Sequence, residues 1–289
     1  MTSQIQPVNG SKRRSFPLGW LDSFRHERAE KRSQQQKFTS KSRFDSLIKT
    51  ARLIADINPR GLPDLVRAIL RPLQSEYLLG VAERGQDALP SIDGPTFFSE
   101  CMRSRMFTAD GMHWRGVRLE NSVFNLQLSR DPVLPWPWSV NRYTSALASI
   151  GSSKTSQDEP KWRIAHQGHW RQDANHQVEL WLPWGLGFVH GGNHSIAAGI
   201  LTGEGEITPD CVYDMTYLLD EFNCDGMHYF DSRTGKKAAA VTDVRSAAVF
   251  EIGRIMREVN LSAFKNETDK AYLHQNKPAA GVEETMSPQ

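Results

Sequence analysis

A short apolar run that ends in two glycines and then enters a helix is the feature that most constrains this fold. Residues 188–200 run from apolar residues through Gly191 and Gly192 to three polar residues and a small-residue stretch. The apolar start favours a buried strand, the glycines permit a left-handed backbone, and Ser195 suits a helix start. A strand that enters a helix in this way directs backbone N–H groups to one point, where anions bind. The loop therefore predicts a binding site for a phosphate or carboxylate group.

The net charge of the 289-residue chain is only +2, but the charge is unevenly distributed. Residues 1–44 hold ten Lys and Arg against three Asp and Glu, so the rest of the chain is net acidic. A small overall charge argues against a protein that binds nucleic acid with its whole surface. We expect residues 1–43 to form a disordered basic arm. This arm either contacts nucleic acid or another acidic partner, or only aids solubility.

The cysteines and the apolar runs indicate a cytoplasmic protein. Cys101, Cys211 and Cys224 are widely spaced and form no Cys-x-x-Cys pair, so we expect free thiols in a reducing compartment. No apolar run approaches the roughly 18 residues that a membrane span needs. The first residues also lack the pattern of a signal peptide. The sequence therefore predicts no membrane partner, and it leaves the oligomeric state open.

The spacing of apolar residues predicts an α+β fold. Apolar residues from Phe44 to Ile57 and after Pro63 recur at helical spacing, and Pro72 should kink or stop the second helix. We expect a helical subdomain over residues 44–110. Residues 111–262 then read as a Trp-rich mixed sheet with flanking helices, and residues 263–289 as a mobile tail. Seven of the eight tryptophans lie at or after residue 114, and core packing is favoured over a ligand cage.

Two predicted elements bracket the glycine loop. Residues 178–182 and 186–190 should form a hairpin with a turn at residues 183–185, and residues 244–259 an amphipathic helix. At the loop itself, Gly191 and Gly192 would give a ligand access to the backbone, while Asn193, His194 and Ser195 add donors. The alternative is a tight turn in which Ser195 only caps the helix. Both interpretations remain open from the residues alone.

The order of parts over residues 133–201 resembles the ParB and sulfiredoxin type of nucleotide-binding domain. An apolar, proline-containing segment (133–138) precedes Arg142 and a helix that ends at Gly151, and a strand pair precedes the Gly192–Ser195 loop. The resemblance implies a ParB/sulfiredoxin-like fold and a nucleotide ligand with Mg. It also implies that Asn193, His194 and Ser195 orient the phosphates while Arg142 neutralises their charge.

The same resemblance has two departures that limit what it implies. Ser195 stands where that family has a phosphate-gripping Arg, and Asn193 stands where sulfiredoxins have their catalytic Cys. Thiol chemistry is therefore not carried over. We also expect the blocks at residues 192–195 and 250–254 to mark a bacterial family with no assigned activity. Whether any reaction is catalysed stays open.

Three other interpretations compete for these residues. Five histidines fall between His166 and His194, and a metal-dependent hydrolase or nuclease could use His190 and His194 with an acidic partner. A serine nucleophile would combine Ser195 with histidines 190 and 194 and with Asp173 or Asp214. A nucleic-acid-associated module of a mobile element would instead use the basic arm and arginines 60, 67 and 71, with a purely structural glycine loop.

Overall fold

The computed structural model describes residues 40–85, 89–108, 111, 114–154 and 167–275. Predictions about the arm before residue 40 and the tail after residue 275 lie outside the described residues. Residues 40–43, which we assigned to the arm, already belong to the first helix, α1 (40–57). No helix in these ranges is long and apolar enough to cross a bilayer.

Helices dominate the first third of the described chain. After α1 come a 3-10 turn (Pro59–Gly61) and the helices α2 (Leu62–Arg84), α3 (Gly94–Phe97) and α4 (Glu100–Met106). Helix α2 runs through Pro72, so of the two predicted outcomes, a kink or a stop, the stop does not occur. An internal proline costs about 3 kcal/mol. Buried residues on both sides, such as Leu70 and Leu78, offset that cost by packing.

A five-stranded mixed sheet forms the centre of the molecule. Its strands and the neighbouring elements are β1 (Val117–Leu119), β2 (Leu126–Gln127), β3 (Val133–Leu134), α5 (Val140–Ser149), β4 (Gln177–Leu182), β5 (Leu186–Gly191), α6 (Asn193–Thr202), β6 (Glu206–Ile207) and β7 (Cys211–Asp214). The strand order is β1-β7-β4-β5-β3. Strands β4 and β5 form the predicted antiparallel hairpin, whereas β4 is parallel to β7 and β3 is parallel to β5.

The remaining elements form a small antiparallel sheet and three helices. They are α7 (Leu218–Glu221), β8 (Phe222–Cys224), β9 (His228–Asp231), β10 (Lys237–Ala240), α8 (Val244–Glu258) and α9 (Lys265–Gln275). The small sheet has the order β10-β9-β8, and β2 pairs with β6. Helix α9 lies where we predicted a mobile tail. The polar composition gave no sign of this helix. Phe264 and Ala271 hold it in place, because both are buried in the core cluster of the sheet.

Both faces of the central sheet are covered. On one face, Trp181 and Phe188 belong to a core that includes residues of α1, α2, α4 and α8. On the other face, Val178 and Val189 pack with residues of α5 and α6. The helices over residues 44–110 therefore share a core with the sheet, and they do not form the separate subdomain that we predicted. The α+β class itself is confirmed.

Helix α8 explains the block at residues 250–254. A Cβ on Gly253 would lie 2.0 Å from the Trp184 indole nitrogen, so only glycine allows this close packing. Glu251 accepts a hydrogen bond from the Cys224 N–H at 2.7 Å, and Arg254 donates to the Phe222 carbonyl at 2.5 Å. The block thus fixes α8 to the sheet and to β8. Burial of tryptophans 170, 181 and 184 agrees with the predicted core role.

Candidate functional site

The glycine loop lies at the carboxyl ends of the parallel strands β3 and β5. Strand β5 ends at Gly191, and Gly192 adopts a left-handed conformation (φ 73°) that starts α6. The first helical hydrogen bond runs from the Ile196 N–H to the Gly192 carbonyl. Among the described residues, nothing accepts from the N–H groups of residues 193–195. The start of α6 therefore presents three amides and the positive end of a ten-residue helix.

The two glycines serve the protein's own packing. A Cβ on Gly191 would lie 2.5 Å from the Asn175 carbonyl oxygen, and one on Gly192 would lie 2.4 Å from the His176 ring. The space beside both glycines is therefore filled by the segment before β4. This corrects our prediction that Gly191 and Gly192 leave the backbone open to a ligand. Their small size lets His176 approach the helix start.

Asn193 and His194 attach the β3–α5 connection to α6. The Trp136 N–H donates to Asn193 Oδ1 at 2.6 Å, and the Ser139 N–H donates to His194 Nε2 at 3.0 Å. Because Nε2 of His194 accepts, the neutral ring carries its proton on Nδ1. In both side chains the acceptor atom is thus used in a hydrogen bond within the protein, and the N–H donors remain available.

Ser195, His176 and Asp173 form a row with the distances of a catalytic relay. Ser195 Oγ lies 2.9 Å from His176 Nε2, and His176 Nδ1 lies 2.9 Å from Asp173 Oδ1. The backbone N–H of Asp173 also points at His176 Nδ1, at 2.8 Å. The Asp173 N–H stabilises a bare Nδ1, with which Nε2–H donates to Ser195, whereas the Asp173 carboxylate stabilises an Nδ1–H, with which Nε2 accepts from Ser195. His176 links Ser195 to Asp173 in either tautomer.

Arg142 supplies a positive charge close to these donors. Its guanidinium lies 5.2 Å from the centre of the Trp138 ring, which meets the His194 ring edge-to-face at 5.3 Å. Burial first, and then the charge of Arg142, lower the pKa of His194. Arg142 is exposed, and no carboxylate in the described ranges forms an ion pair with it. The site therefore combines a histidine of lowered pKa with a cation that has no carboxylate partner among the described residues.

Comparison with protein-family models gives one match. The model of a family of unknown function, DUF6710, covers residues 27–263. The chain belongs to the DUF6710 family. The match includes every residue of the site described above, whereas α9 begins after it. Neither the curated proteins nor the solved structures give a match.

The two histidines proposed for a metal lie on different sides of the sheet in this DUF6710 member. His190 shares a face with Phe188, and its Nε2 lies 3.8 Å from Glu179 Oε2. Burial raises the pKa of that glutamate. His194 belongs to α6, which covers the opposite face. Within the described ranges, no three His, Cys, Asp or Glu side chains form a group that could hold a metal ion.

Sequence reasoning missed several residues of the site. We predicted histidines 190 and 194 and Asp214 as partners of Ser195, but the structure places His176 there. Asp214 is the last residue of β7 and lies at the end of the sheet opposite to the glycine loop. The backbone donors of Trp136 and Ser139 carry no sequence signal, because any residue with an N–H could supply them. The signal for His176 was its three-residue spacing from Asp173, which we did not use.

Proposed function

We propose that the start of α6 binds the anionic group of a phosphate-bearing ligand such as a nucleotide. One observation carries the proposal. Asn193 and His194 each accept a hydrogen bond from the protein itself. The groups left for a ligand are consequently donors: the Asn193 amide, the His194 Nδ1–H and the backbone N–H groups at the start of α6. A cluster of donors at a helix N-terminus matches the oxygen atoms of a phosphate.

The charge and the topology support the same ligand class. Arg142 adds a positive charge beside the donors. The parallel β3–β5 pair, with α5 packed against α6, is the order of parts that resembles the ParB and sulfiredoxin type of domain. Ser195 stands where that family has a phosphate-binding arginine in the loop. In this chain Arg142 would supply the positive charge instead. The three internal hydrogen bonds hold the donors in place before a ligand arrives, which lowers the entropic cost of binding.

The contacts favour binding over catalysis by these residues. A nucleophilic Ser195 needs His176 to be protonated on Nδ1 and bare on Nε2, and the Asp173 N–H that lies 2.8 Å from Nδ1 opposes this state. A metal-dependent hydrolase needs at least three ligands around one ion, and the described residues contain no group of three His, Cys, Asp or Glu side chains that could hold one. A phosphate ligand needs only the donors and the cation that the site presents.

Titration calorimetry with an isosteric variant tests the proposal. CTP, ATP, GTP and inorganic phosphate are titrated into the full-length protein, with and without magnesium. In Asn193→Asp the carboxylate still accepts from the Trp136 N–H, but it replaces the amide donor with a negative charge. Losing a donor to a charged group costs about 1.5–3 kcal/mol, so the affinity should fall at least about tenfold.

Asn58→Asp is the matched control. Asn58 accepts from the Arg60 N–H at 3.1 Å, far from the site in sequence and on another element, and aspartate can do the same. This variant adds the same charge and should bind like the parent protein. If none of the four ligands binds, or if both variants weaken binding equally, the proposed function is wrong.

A further inference from the structure

We propose that the outer edge of β10 binds an extended acidic segment of a partner protein by strand addition. Strand β10 is a four-residue edge strand of the small sheet with a bulge between Lys237 and Ala239, and no other described strand pairs with its outer side. An unpaired edge offers a row of N–H and C=O groups to an incoming strand. The inference concerns a different surface from the start of α6 and does not depend on the function proposed there.

The side chains of β10 leave room for a second strand. Ala238 and Ala240 are small and exposed, and Lys237 is exposed as well. The end of β10 leads into a groove of about 760 Å³, which is lined in part by Met227, His228 and Val241. Its two carboxylates, Glu76 and Asp243, both form ion pairs with Arg245. Side chains of an added strand that point to one face would enter this groove. The edge and the groove form one continuous surface.

The turn before β10 sets the charge of the partner. Arg233, Lys236 and Lys237 are exposed, and none forms an ion pair with a described carboxylate. The nearest acid, Asp231, accepts from the N–H groups of Arg233 and Thr234 and pairs with an arginine of α4. Arg233 and Lys236 thus lie on a turn that this aspartate fixes, and Lys237 follows at the start of β10, all three without a carboxylate partner among the described residues.

Charge complementarity selects an acidic occupant. The arm of this chain is itself basic, with ten Lys and Arg against three Asp and Glu in residues 1–44, so the cations of the turn repel it. Lysine at a sheet edge also discourages unspecific pairing. A partner must therefore compensate these charges while it forms the backbone hydrogen bonds, and an extended segment with carboxylates does both.

Blocked decapeptides of defined chemistry test strand addition. The probe alternates Glu and Val, a second peptide has Lys in place of Glu, and a third carries N-methyl groups on alternate amides of the acidic sequence. Binding is followed by fluorescence anisotropy and by amide shifts of residues 236–241. We expect the acidic peptide to bind, and the Lys peptide and the N-methylated peptide to bind at least about tenfold more weakly.

Charge reversal supplies the matched variants. Arg233→Glu/Lys236→Glu/Lys237→Glu should reverse the preference, so that the Lys peptide binds better than the acidic one. The control reverses three exposed cations elsewhere, at positions 49, 60 and 84, and should keep the original preference. Melting curves confirm that both variants are folded. The inference is overturned if the acidic peptide does not bind, if its N-methylated form binds equally well, or if duplex DNA displaces it through a merely cationic surface.

Discussion

The two parallel strand pairs of the central sheet have their carboxyl ends at opposite ends of the sheet, and the two ends have opposite chemistry. Strands β3 and β5 end beside the start of α6, where the free groups are donors and a cation. Strands β4 and β7 end at Leu182 and Asp214, where a carboxylate is the central group. Ligand sites commonly form at the carboxyl ends of parallel strands. The shared topology therefore provides two positions, and the residues decide which one stays open.

The Asp214 end is satisfied by the protein itself. Asp214 accepts from the N–H and the hydroxyl of Thr216 and, at 2.7 Å, from the Tyr272 hydroxyl of α9. Burial and the Asp214 carboxylate raise the pKa of that tyrosine. A cavity of about 280 Å³ remains beneath α9. Helix α9 itself begins after the residues that match the family model. One end of the sheet is thus closed by helix α9, while the donors of the other end have no acceptor among the described residues.

The largest expected effect comes from the glycine that starts α6. Gly192→Ala places a Cβ 2.4 Å from the His176 ring on a residue with φ 73°, whereas Gly203→Ala, at the other end of the helix, has φ 69° and meets nothing within 4 Å. The backbone strain of about 1 kcal/mol is common to both. The clash adds about 2 kcal/mol in the first variant only.

Thermal or urea unfolding measures this difference. We expect a loss of about 3 kcal/mol for Gly192→Ala and about 1 kcal/mol for Gly203→Ala. The displaced His176 should also disturb Ser195, so the first variant should lose phosphate binding as well. Equal losses of stability in the two variants would show that the glycine does not accommodate His176.

A smaller effect is expected at the closed end. Tyr272→Phe removes the hydroxyl that α9 donates to Asp214, while the bonds from Thr216 remain. A hydrogen bond to a charged group contributes about 1.5–3 kcal/mol, and we expect a loss near the lower limit because the cavity lets water replace the hydroxyl. Phosphate affinity at α6 should stay unchanged. A variant that unfolds no more readily than the parent would mean that α9 does not close this end through Asp214.

The sequence predicted the local elements of the open end well. The hairpin, the glycine turn and the start of α6 follow from apolar runs and from residues that permit special backbone angles, which are local properties. It predicted the closed end poorly. Helix α9 is polar in sequence, and contacts with distant residues, such as that between Tyr272 and Asp214, attach it to the sheet. Such contacts leave no periodic pattern in one chain.

The site shows the same division between local and distant information. The donor residues 193–195 were recognisable because they follow two glycines. Their partners Trp136, Ser139 and His176 lie 19 to 57 positions away, and two of them act through the backbone. The interpretation of the glycines as ligand access was wrong because the packing of His176 beside Gly192 is visible only in three dimensions.

The smallest expected effect is a pH dependence confined to the open end. Burial and Arg142 lower the pKa of His194 below its ordinary value of 6.5, so the unfolded chain binds the proton more readily than the folded protein. Stability should then fall as the pH drops below about 6.5 and recover above it. The proton would also occupy the nitrogen that accepts from Ser139, which loosens the β3–α5 connection.

Melting temperatures between pH 5.5 and 7.5 separate this contribution from the rest of the molecule. In His194→Gln the amide oxygen can still accept from Ser139 but does not titrate, so the decline at low pH should be shallower. Tyr272→Phe should keep the parent slope, because burial and Asp214 move the titration of that tyrosine further into the alkaline range. Equal slopes in the glutamine variant and the parent would contradict a neutral His194, and with it the donor arrangement that distinguishes the open end from the closed one.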